Sequence, residues 1–166
     1  MTTTIESFLK SIGAPTIGEY WEGQGGALVN LRPADDSEKL SFLICSTDEA
    51  RDLEWGSYGK RVKGADDRYD GRANTLALVN AATSHPAAEW CAEYSKDGHS
   101  EFYLPAQREL NLAYASCPRV FSPEWYWSST QFSATNAWDQ TFGGGYQYGA
   151  LKTRKGRVRA FRRFSI

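Results

Sequence analysis

The stretch Trp125-Tyr126-Trp127-Ser128-Ser129-Thr130 carries the clearest structural signal in the chain. Aromatic and β-branched residues are interleaved there with polar ones, which is typical of a strand that packs one face on a core and turns the other to water. We therefore expect a β-core here, with Trp127 buried in it. Further strands are predicted at residues 137–142, 146–152 and 157–164. Gly143-Gly144-Gly145 is predicted to form the hairpin turn between the first two of these, because glycine tolerates positive φ.

The N-terminal part is predicted to begin with a short helix and to continue as strands. Thr3-Thr4-Ile5-Glu6 has the capping-box pattern of a helix start. Four apolar side chains follow at helical spacing: Ile5, Phe8, Leu9 and Ile12. Residues 20–29 are predicted to be a strand that a glycine turn interrupts. Residues 28–31 and 40–45 are predicted to pair as a hairpin around the turn cluster Ala34-Asp35-Asp36-Ser37.

Three more helices are predicted in the middle of the chain. Asn74-Thr75 is predicted to start one helix, Pro86 suits the first position of the next, and the last follows Leu104-Pro105. The first of these is expected to turn three apolar side chains to one face: Leu76, Val79 and Ala82. Residues 55–59 and 66–71 are rich in turn formers, so we predict irregular structure for both segments.

The chain has 166 residues, a length that predicts a single domain over residues 1–166, with the helix and hairpin of residues 1–60 integral to it. Cys45, Cys91 and Cys117 are widely spaced, which favours buried thiols over a disulfide framework. The sequence contains no basic leader and no long apolar run. We therefore predict cytoplasmic synthesis without a signal peptide and no insertion into a membrane.

Charge is unevenly distributed along the chain. Of 19 lysines and arginines, 7 lie in residues 151–166, which hold no acidic residue. They are Lys152, Arg154, Lys155, Arg157, Arg159, Arg162 and Arg163. Two interpretations stay open: the run binds anionic groups such as sulfated sugars, or it pairs with carboxylates of the same domain. Its alternation with apolar residues favours internal pairing, because a strand shows that pattern and a free basic tail does not.

Several short motifs occur in a defined order. They are Asp70-Gly71-Arg72-Ala73-Asn74-Thr75, Ala88-Glu89-Trp90-Cys91, Tyr103-Leu104-Pro105-Ala106-Gln107-Arg108-Glu109-Leu110, Tyr126-Trp127-Ser128-Ser129-Thr130, Ala137-Trp138 and Val158-Arg159-Ala160-Phe161-Arg162. In this order they resemble the Lcl C-terminal-domain family, a domain of unknown function in bacterial adhesins and in many phage and prophage proteins. The resemblance covers residues 70–163, and residues 20–26 are similar to the front end of stand-alone phage-type members.

The resemblance implies an α+β protein with a C-type-lectin-like fold, in which two or three helices flank a twisted antiparallel sheet and the termini come together. Trp127 and Trp138 would then be core aromatics of adjacent strands, and Arg159 or Arg162 a partly buried ion-pair partner. The calcium site of that superfamily resembles a Glu-Pro-Asn or Gln-Pro-Asp tripeptide with Trp-Asn-Asp downstream, which this chain lacks. Its formylglycine-type oxidases need a C-terminal cysteine pair, and no cysteine follows Cys117.

Other metal and catalytic sites are also disfavoured. Asp66, Asp67 and Asp70 offer oxygen ligands, but their spacing lacks the ligand loop of a known calcium site, so we predict solvated turn residues and no metal. Cys91 and His99 would form a nucleophile and base only within hydrogen-bond reach, and a buried thiol and a solvated histidine are expected instead. The sequence thus predicts no enzyme and no cofactor.

An aromatic surface is the remaining candidate site. Nine aromatic residues lie in residues 121–148. This number exceeds what a single face of a small sheet is expected to bury. The candidate ligand-binding residues are Trp125, Tyr146, Tyr148, Arg154 and Arg157. Tyrosine and tryptophan offer rigid contact area with a polar group, and arginine adds charge-assisted hydrogen bonds. The alternative, that these aromatics are simply core, stays open.

These patterns predict a non-enzymatic binding module, encoded by a phage or prophage, that recognises a surface glycan or protein through the aromatic and glycine hairpin surface. The alternative is an intracellular phage accessory protein that binds a host protein, and an oxidase or hydrolase comes third. No nucleic-acid partner is predicted, and a homo-oligomer is compatible with the sequence. The expected location is the virion or the host cytoplasm.

Overall fold

The computed structural model describes residues 4–33 and 40–166 and has an α+β architecture, as predicted. In this part of the chain the helices are α1 (Ile5–Ser11), α2 (Gly71–Val79), α3 (Pro86–Glu93) and α4 (Gln107–Ser116), with a 3-10 turn at Pro118–Val120. The strands are β1 (Tyr20–Trp21), β2 (Gly26–Pro33), β3 (Leu40–Cys45), β4 (Ala50–Leu53), β5 (Trp125–Gln131), β6 (Asn136–Thr141), β7 (Gln147–Leu151), β8 (Gly156–Val158) and β9 (Phe161–Ser165). The predicted turn at residues 34–37 and Thr3 lie outside the described residues.

The first sheet joins the two ends of the chain. Its strand order is β1-β2-β3-β9, and every pairing in it is antiparallel. The predicted hairpin of β2 and β3 is confirmed. Helix α1 covers this sheet through Leu9, which is buried against Leu28, Phe42 and Ile44. Ile5 is 61% exposed, so the predicted apolar face of α1 is wrong at its first position.

The second sheet carries the aromatic stretch at its centre. Its strand order is β4-β8-β5-β6-β7, in which β5 pairs antiparallel with β6 and parallel with β8. The sequence missed β4. The single strand predicted at residues 157–164 is wrong, because the chain leaves the second sheet after Val158 and enters the first sheet at Phe161. One basic segment therefore links the two sheets.

The helix starts follow local capping chemistry. The side chains of Thr4 and Asp70 accept hydrogen bonds from first-turn amides at 3.2 and 3.0 Å. Pro86 occupies the first position of α3, as predicted. Helix α2 begins at Gly71 rather than at the predicted Asn74-Thr75, because the Asp70 carboxylate supplies the cap.

The buried face of α2 differs from the predicted one. Leu76 is 62% exposed, Val79 is also exposed and Ala82 lies beyond the helix. Asn74 and Thr75 are buried instead. Asn74 Nδ2 donates to the Asp67 carbonyl at 2.6 Å, and Thr75 Oγ1 accepts from the Leu104 amide at 2.9 Å. Hydrogen bonds to the loop backbone thus decide which face of α2 turns inward.

The core confirms one predicted tryptophan and corrects the other. Trp127 is fully buried, and its Nε1 donates to the Leu53 carbonyl at 2.9 Å. Trp138 is only half-buried and packs edge-on against the exposed Phe132, with ring centroids 4.8 Å apart. The register explains this, because Asp139 lies opposite Trp127 and its neighbour Trp138 must point to the other face of the sheet.

Candidate functional site

The nine aromatic residues of the stretch 121–148 divide between core and surface. The buried ones are Phe121, Tyr126, Trp127 and Phe142. The half-buried ones are Trp125 and Trp138, and the exposed ones are Phe132, Tyr146 and Tyr148. The core interpretation thus holds for part of the stretch, and a surface group is left over.

Strand register gathers part of this surface on one face of the second sheet. Asp139 lies opposite both Trp127 and Tyr148, and Trp125 lies opposite Thr141. Paired residues, and residues two apart along a strand, point to the same side. We name the group formed by Trp125, Asp139, Tyr146, Tyr148 and Arg154 the tyrosine face.

Tyr146 and Tyr148 form its most accessible part. They are 61% and 58% exposed, and their ring centroids lie 5.9 Å apart at an interplanar angle of 30°. Gly145 has a φ of +79°, which confirms the predicted glycine turn, and a side chain there would meet the ring of Tyr114. The turn therefore needs glycine for both its conformation and its packing.

Arg154 lies over Trp125 at the other side of the face. Its guanidinium carbon is 4.9 Å from the centroid of the Trp125 ring, a cation–π contact. Trp125 in turn packs edge-on against the buried Trp127, with centroids 5.0 Å apart. The buried Trp127 thus fixes the position of the Trp125 ring, and the Trp125 ring in turn positions the exposed Arg154 guanidinium.

Asp139 is a buried carboxylate on the same face, and the sequence prediction missed it. It is 5% exposed, and its Oδ1 has no hydrogen-bond partner among the described residues. Burial raises the pKa of Asp139 to about 6, an effect that the Tyr148 amide and the Arg154 guanidinium partly offset. Strand alternation could have revealed it, since position 139 shares the face of Trp127 once the register is known.

Arg157 lies near Trp125 but has another main contact. Arg157 and Trp125 both line a pocket of about 260 Å³. The Arg157 guanidinium, however, donates to the Glu49 carboxylate at 2.6 Å. Arg157 therefore forms an internal ion pair, and its role in ligand binding stays a prediction.

The rest of the basic C-terminal run decides between the two open interpretations. Glu49 also lies 3.6 Å from Arg159, Arg162 contacts Glu101 at 3.1 Å, and Arg163 contacts Asp70 at 3.0 Å. Lys152 is fully buried. Most of the run is thus engaged inside the domain, and Arg154 is the member that belongs to the tyrosine face.

The acidic loop residues have structural roles. Asp66 pairs with Arg61 at 2.9 Å, and Asp67 accepts the amides of Tyr69 and Asp70 at 2.7 and 2.8 Å. Asp70 caps α2. Within residues 4–33 and 40–166, no three histidine, cysteine or acidic side chains cluster as metal ligands would.

The cysteines are free and buried, as predicted. Burial raises the pKa of Cys91 well above its ordinary value, which keeps the thiol protonated. His99 contacts the Glu101 carboxylate at 3.0 Å and the Gly23 carbonyl at 3.1 Å through its two ring nitrogens. Both nitrogens are therefore occupied, and the Cys91–His99 pair is not formed.

Comparison with known proteins gives a fold likeness. No family model matches the chain, and no curated protein matches it. A crystal structure described as a fimbrial protein from Bacteroides ovatus superposes with a TM-score of 0.56 at 14% sequence identity. The match covers 72% of this chain and 35% of the fimbrial chain, so the similarity spans about a third of that protein.

Within the described ranges, no helix combines the length and the apolar character that crossing a bilayer requires.

Proposed function

We propose that the protein is a binding module that recognises a glycan through the tyrosine face. The observation that carries this proposal is the arrangement of two exposed, neighbouring tyrosine rings beside a buried carboxylate with an unpartnered oxygen. Tyrosine rings stack on the apolar faces of sugars, and carboxylate and guanidinium groups hydrogen-bond to hydroxyls. The face thus combines apolar contact with directional polar contacts, as small-ligand sites do.

The family and fold proposals support the same function. We propose a C-type-lectin-like fold and membership of the Lcl C-terminal-domain family, encoded by a phage or prophage. The ordered motifs of residues 70–163 support this, as does the α+β architecture with β9 paired to β3. The likeness to a protein described as fimbrial is compatible with a binding role. The proposed location is the virion or the host cytoplasm.

A glycan array tests the proposal. The purified protein is screened with calcium, with a chelator, and at two salt concentrations. We expect binding to a defined set of glycans that does not depend on calcium, because the described residues bring no cluster of metal ligands together. Binding confined to sulfated glycans and lost at the higher salt would instead indicate simple charge attraction to the basic residues. A blank array would contradict the glycan proposal and leave a protein ligand as the candidate.

A further inference from the structure

A serine and a histidine that both follow β4 in the chain are hydrogen-bonded at the wall of a pocket. The Ser57 hydroxyl lies 3.0 Å from His85 Nε2, although the two residues are 28 positions apart. Ser57 is half-buried and lines a pocket of about 390 Å³, whereas His85 is fully buried behind it. This places a hydroxyl at a pocket wall with a ring nitrogen behind it.

The hydrogen bonds of His85 fix which of its ring nitrogens can accept a proton. Its Nδ1 lies 2.9 Å from the Trp55 carbonyl, which can only accept, so Nδ1 carries the hydrogen. Nε2 is then the acceptor that faces Ser57. Burial and the Lys152 ammonium lower the pKa of His85, while the Trp55 carbonyl and the Glu89 carboxylate act in the other direction. At neutral pH the imidazole is therefore neutral and able to act as a base.

A second hydroxyl, that of Thr83, extends the hydrogen bonds between Ser57 and His85. Thr83 Oγ1 is hydrogen-bonded to Ser57 Oγ. Because the Ser57 proton points to His85, Thr83 must be the donor in this contact. The groups Thr83, Ser57, His85 and the Trp55 carbonyl thus form a directed series of hydrogen bonds. The hydrogen bonds of such a series strengthen one another, so the Thr83 contact strengthens the hydrogen bond that Ser57 donates to His85.

The backbone at Ser57 has the form expected of an exposed nucleophile. Ser57 has a φ of +52°, a left-handed conformation that is uncommon for a residue with a side chain, and it follows Gly56 with a φ of +95°. The amides of Ser57 and Tyr58 bond to no acceptor in the part of the chain that the structure describes. In serine hydrolases with a nucleophile on a strained turn, the amide after the serine stabilises the oxyanion.

We propose that Ser57 is the nucleophile and His85 the general base of an ester-hydrolysing site. The expectation of a non-enzymatic protein rested on sequence spacing, which shows no such constellation. The dyad is independent of the tyrosine face and stands apart from the proposed glycan recognition.

The reaction follows from the geometry. The Ser57 oxygen bonds to the ester carbonyl carbon while its proton passes to His85 Nε2. The tetrahedral intermediate then breaks its bond to the alcohol oxygen, which takes the proton from His85 and leaves. Water adds to the acyl-serine in the same manner, returning Ser57 to its free hydroxyl. The net change is one ester and one water to one carboxylic acid and one alcohol.

The pocket lining indicates the substrate class. Its basic members are Lys60, Arg61 and Lys63, and small residues such as Ala77 and Ala81 line the rest. Arg61 is paired with Asp66, which leaves two lysines without an ion pair among the described residues. The site therefore fits a short ester that carries a negative charge.

Labelling with an alkyl fluorophosphonate tests the nucleophile directly, because an activated serine displaces fluoride from its phosphorus. We expect one adduct per chain by intact mass, located at Ser57 by peptide mapping and absent from Ser57→Ala. The exposed Ser95 gives the matched control, since Ser95→Ala should label as the wild type does. An unlabelled wild-type protein, or an adduct that persists in Ser57→Ala, would overturn the proposal.

The base is tested by the labelling rate. His85→Gln should slow labelling by about 100-fold or more, the usual contribution of general-base catalysis. An unchanged rate in a folded His85→Gln protein would overturn the role of His85. Because His85 is buried, Thr83→Val provides a second variant at an exposed position; we expect about a tenfold loss there, and an unchanged rate would contradict the hydrogen-bond chain.

The substrate class is tested with two activated esters. We expect kcat/KM for 4-nitrophenyl hemisuccinate to exceed that for 4-nitrophenyl acetate by about tenfold, and the ratio to fall toward one in Lys60→Gln/Lys63→Gln. Equal rates for both esters in the wild type would refute the preference for a negative charge.

Discussion

Replacing Asp139 by asparagine should stabilise the protein at neutral pH. Burial raises the pKa of Asp139 from its usual 3.8 to about 6, so the folded state holds this proton more tightly than the unfolded chain does. The wild type therefore loses stability as pH rises from about 4 to about 6, because ionisation favours the unfolded chain. A gap of about two pKa units, at about 1.4 kcal/mol each, gives about 3 kcal/mol at pH 7. Asparagine keeps the shape and removes the charge.

Urea denaturation of wild type and Asp139→Asn across pH measures this effect. We expect the variant to be more stable by about 1 to 3 kcal/mol at pH 7 and equally stable near pH 3.5, with the change between about pH 4 and pH 6. Comparing the two proteins at each pH cancels the titration of the other carboxylates. A difference that does not vary with pH, or a variant that is less stable at pH 7, would refute the assignment of Asp139 as a destabilised buried carboxylate.

Two further stability predictions concern the core and the ion pairs. Trp127→Ala should cost about 3–5 kcal/mol in urea denaturation because the ring is fully buried, and a wild-type midpoint would contradict that packing. The half-buried Trp138→Ala is its control and should cost clearly less. Glu49→Gln should cost about 3 kcal/mol at pH 7, since it leaves Arg157 and Arg159 without their carboxylate. Hydrogen bonds from Tyr126 and the arginines outweigh burial and lower the pKa of Glu49, so this loss should vanish as pH falls below about 4.5; a pH-independent loss would argue against the ion pairs.

Local patterns predicted much of the fold because their causes are local. The interleaved aromatic and polar residues of β5 predicted a strand with Trp127 in the core, and both are confirmed. The predicted water-facing side of β5 is wrong, because Ser128, Ser129 and Thr130 are buried as well and their polar groups are satisfied by hydrogen bonds such as that from Ser128 Oγ to the Trp138 carbonyl. Pro86 starts α3 because proline lacks the amide that a first helical position leaves free. Neither conclusion depends on residues far away in the chain.

The burial of other side chains depends on partners that are distant in the sequence, so it could not be predicted from local patterns. Lys152 looks like a surface charge in the basic run, yet it is buried because the Trp55 ring, the Lys60 carbonyl and Gln131 surround its ammonium. Asn74 turns inward because its side-chain amide donates a hydrogen bond to the Asp67 carbonyl. Such contacts are set by tertiary packing, which outweighs the helical pattern of apolar residues.

The candidate site was also predicted in part from the sequence. Alternation beside the glycine turn identified Tyr146 and Tyr148 as a pair on one face. The ion pair of Arg157 could not be predicted, because its partner, Glu49, is 108 positions away in the chain. Asp139 was missed because a carboxylate in a predicted strand is expected to face solvent. Only the strand register, which places Asp139 opposite Trp127, shows that it lies on the buried side.

The central claim, that the tyrosine face binds a glycan, is tested most directly by one affinity comparison. The affinity of the best array ligand is measured for the wild type, for Tyr146→Ala/Tyr148→Ala, and for Tyr69→Ala, which removes an equally exposed tyrosine outside the face. We predict about a 10- to 100-fold loss for the double variant, from about 1 kcal/mol or more per ring, and no change for Tyr69→Ala. A folded double variant that binds as tightly as the wild type would contradict the claim.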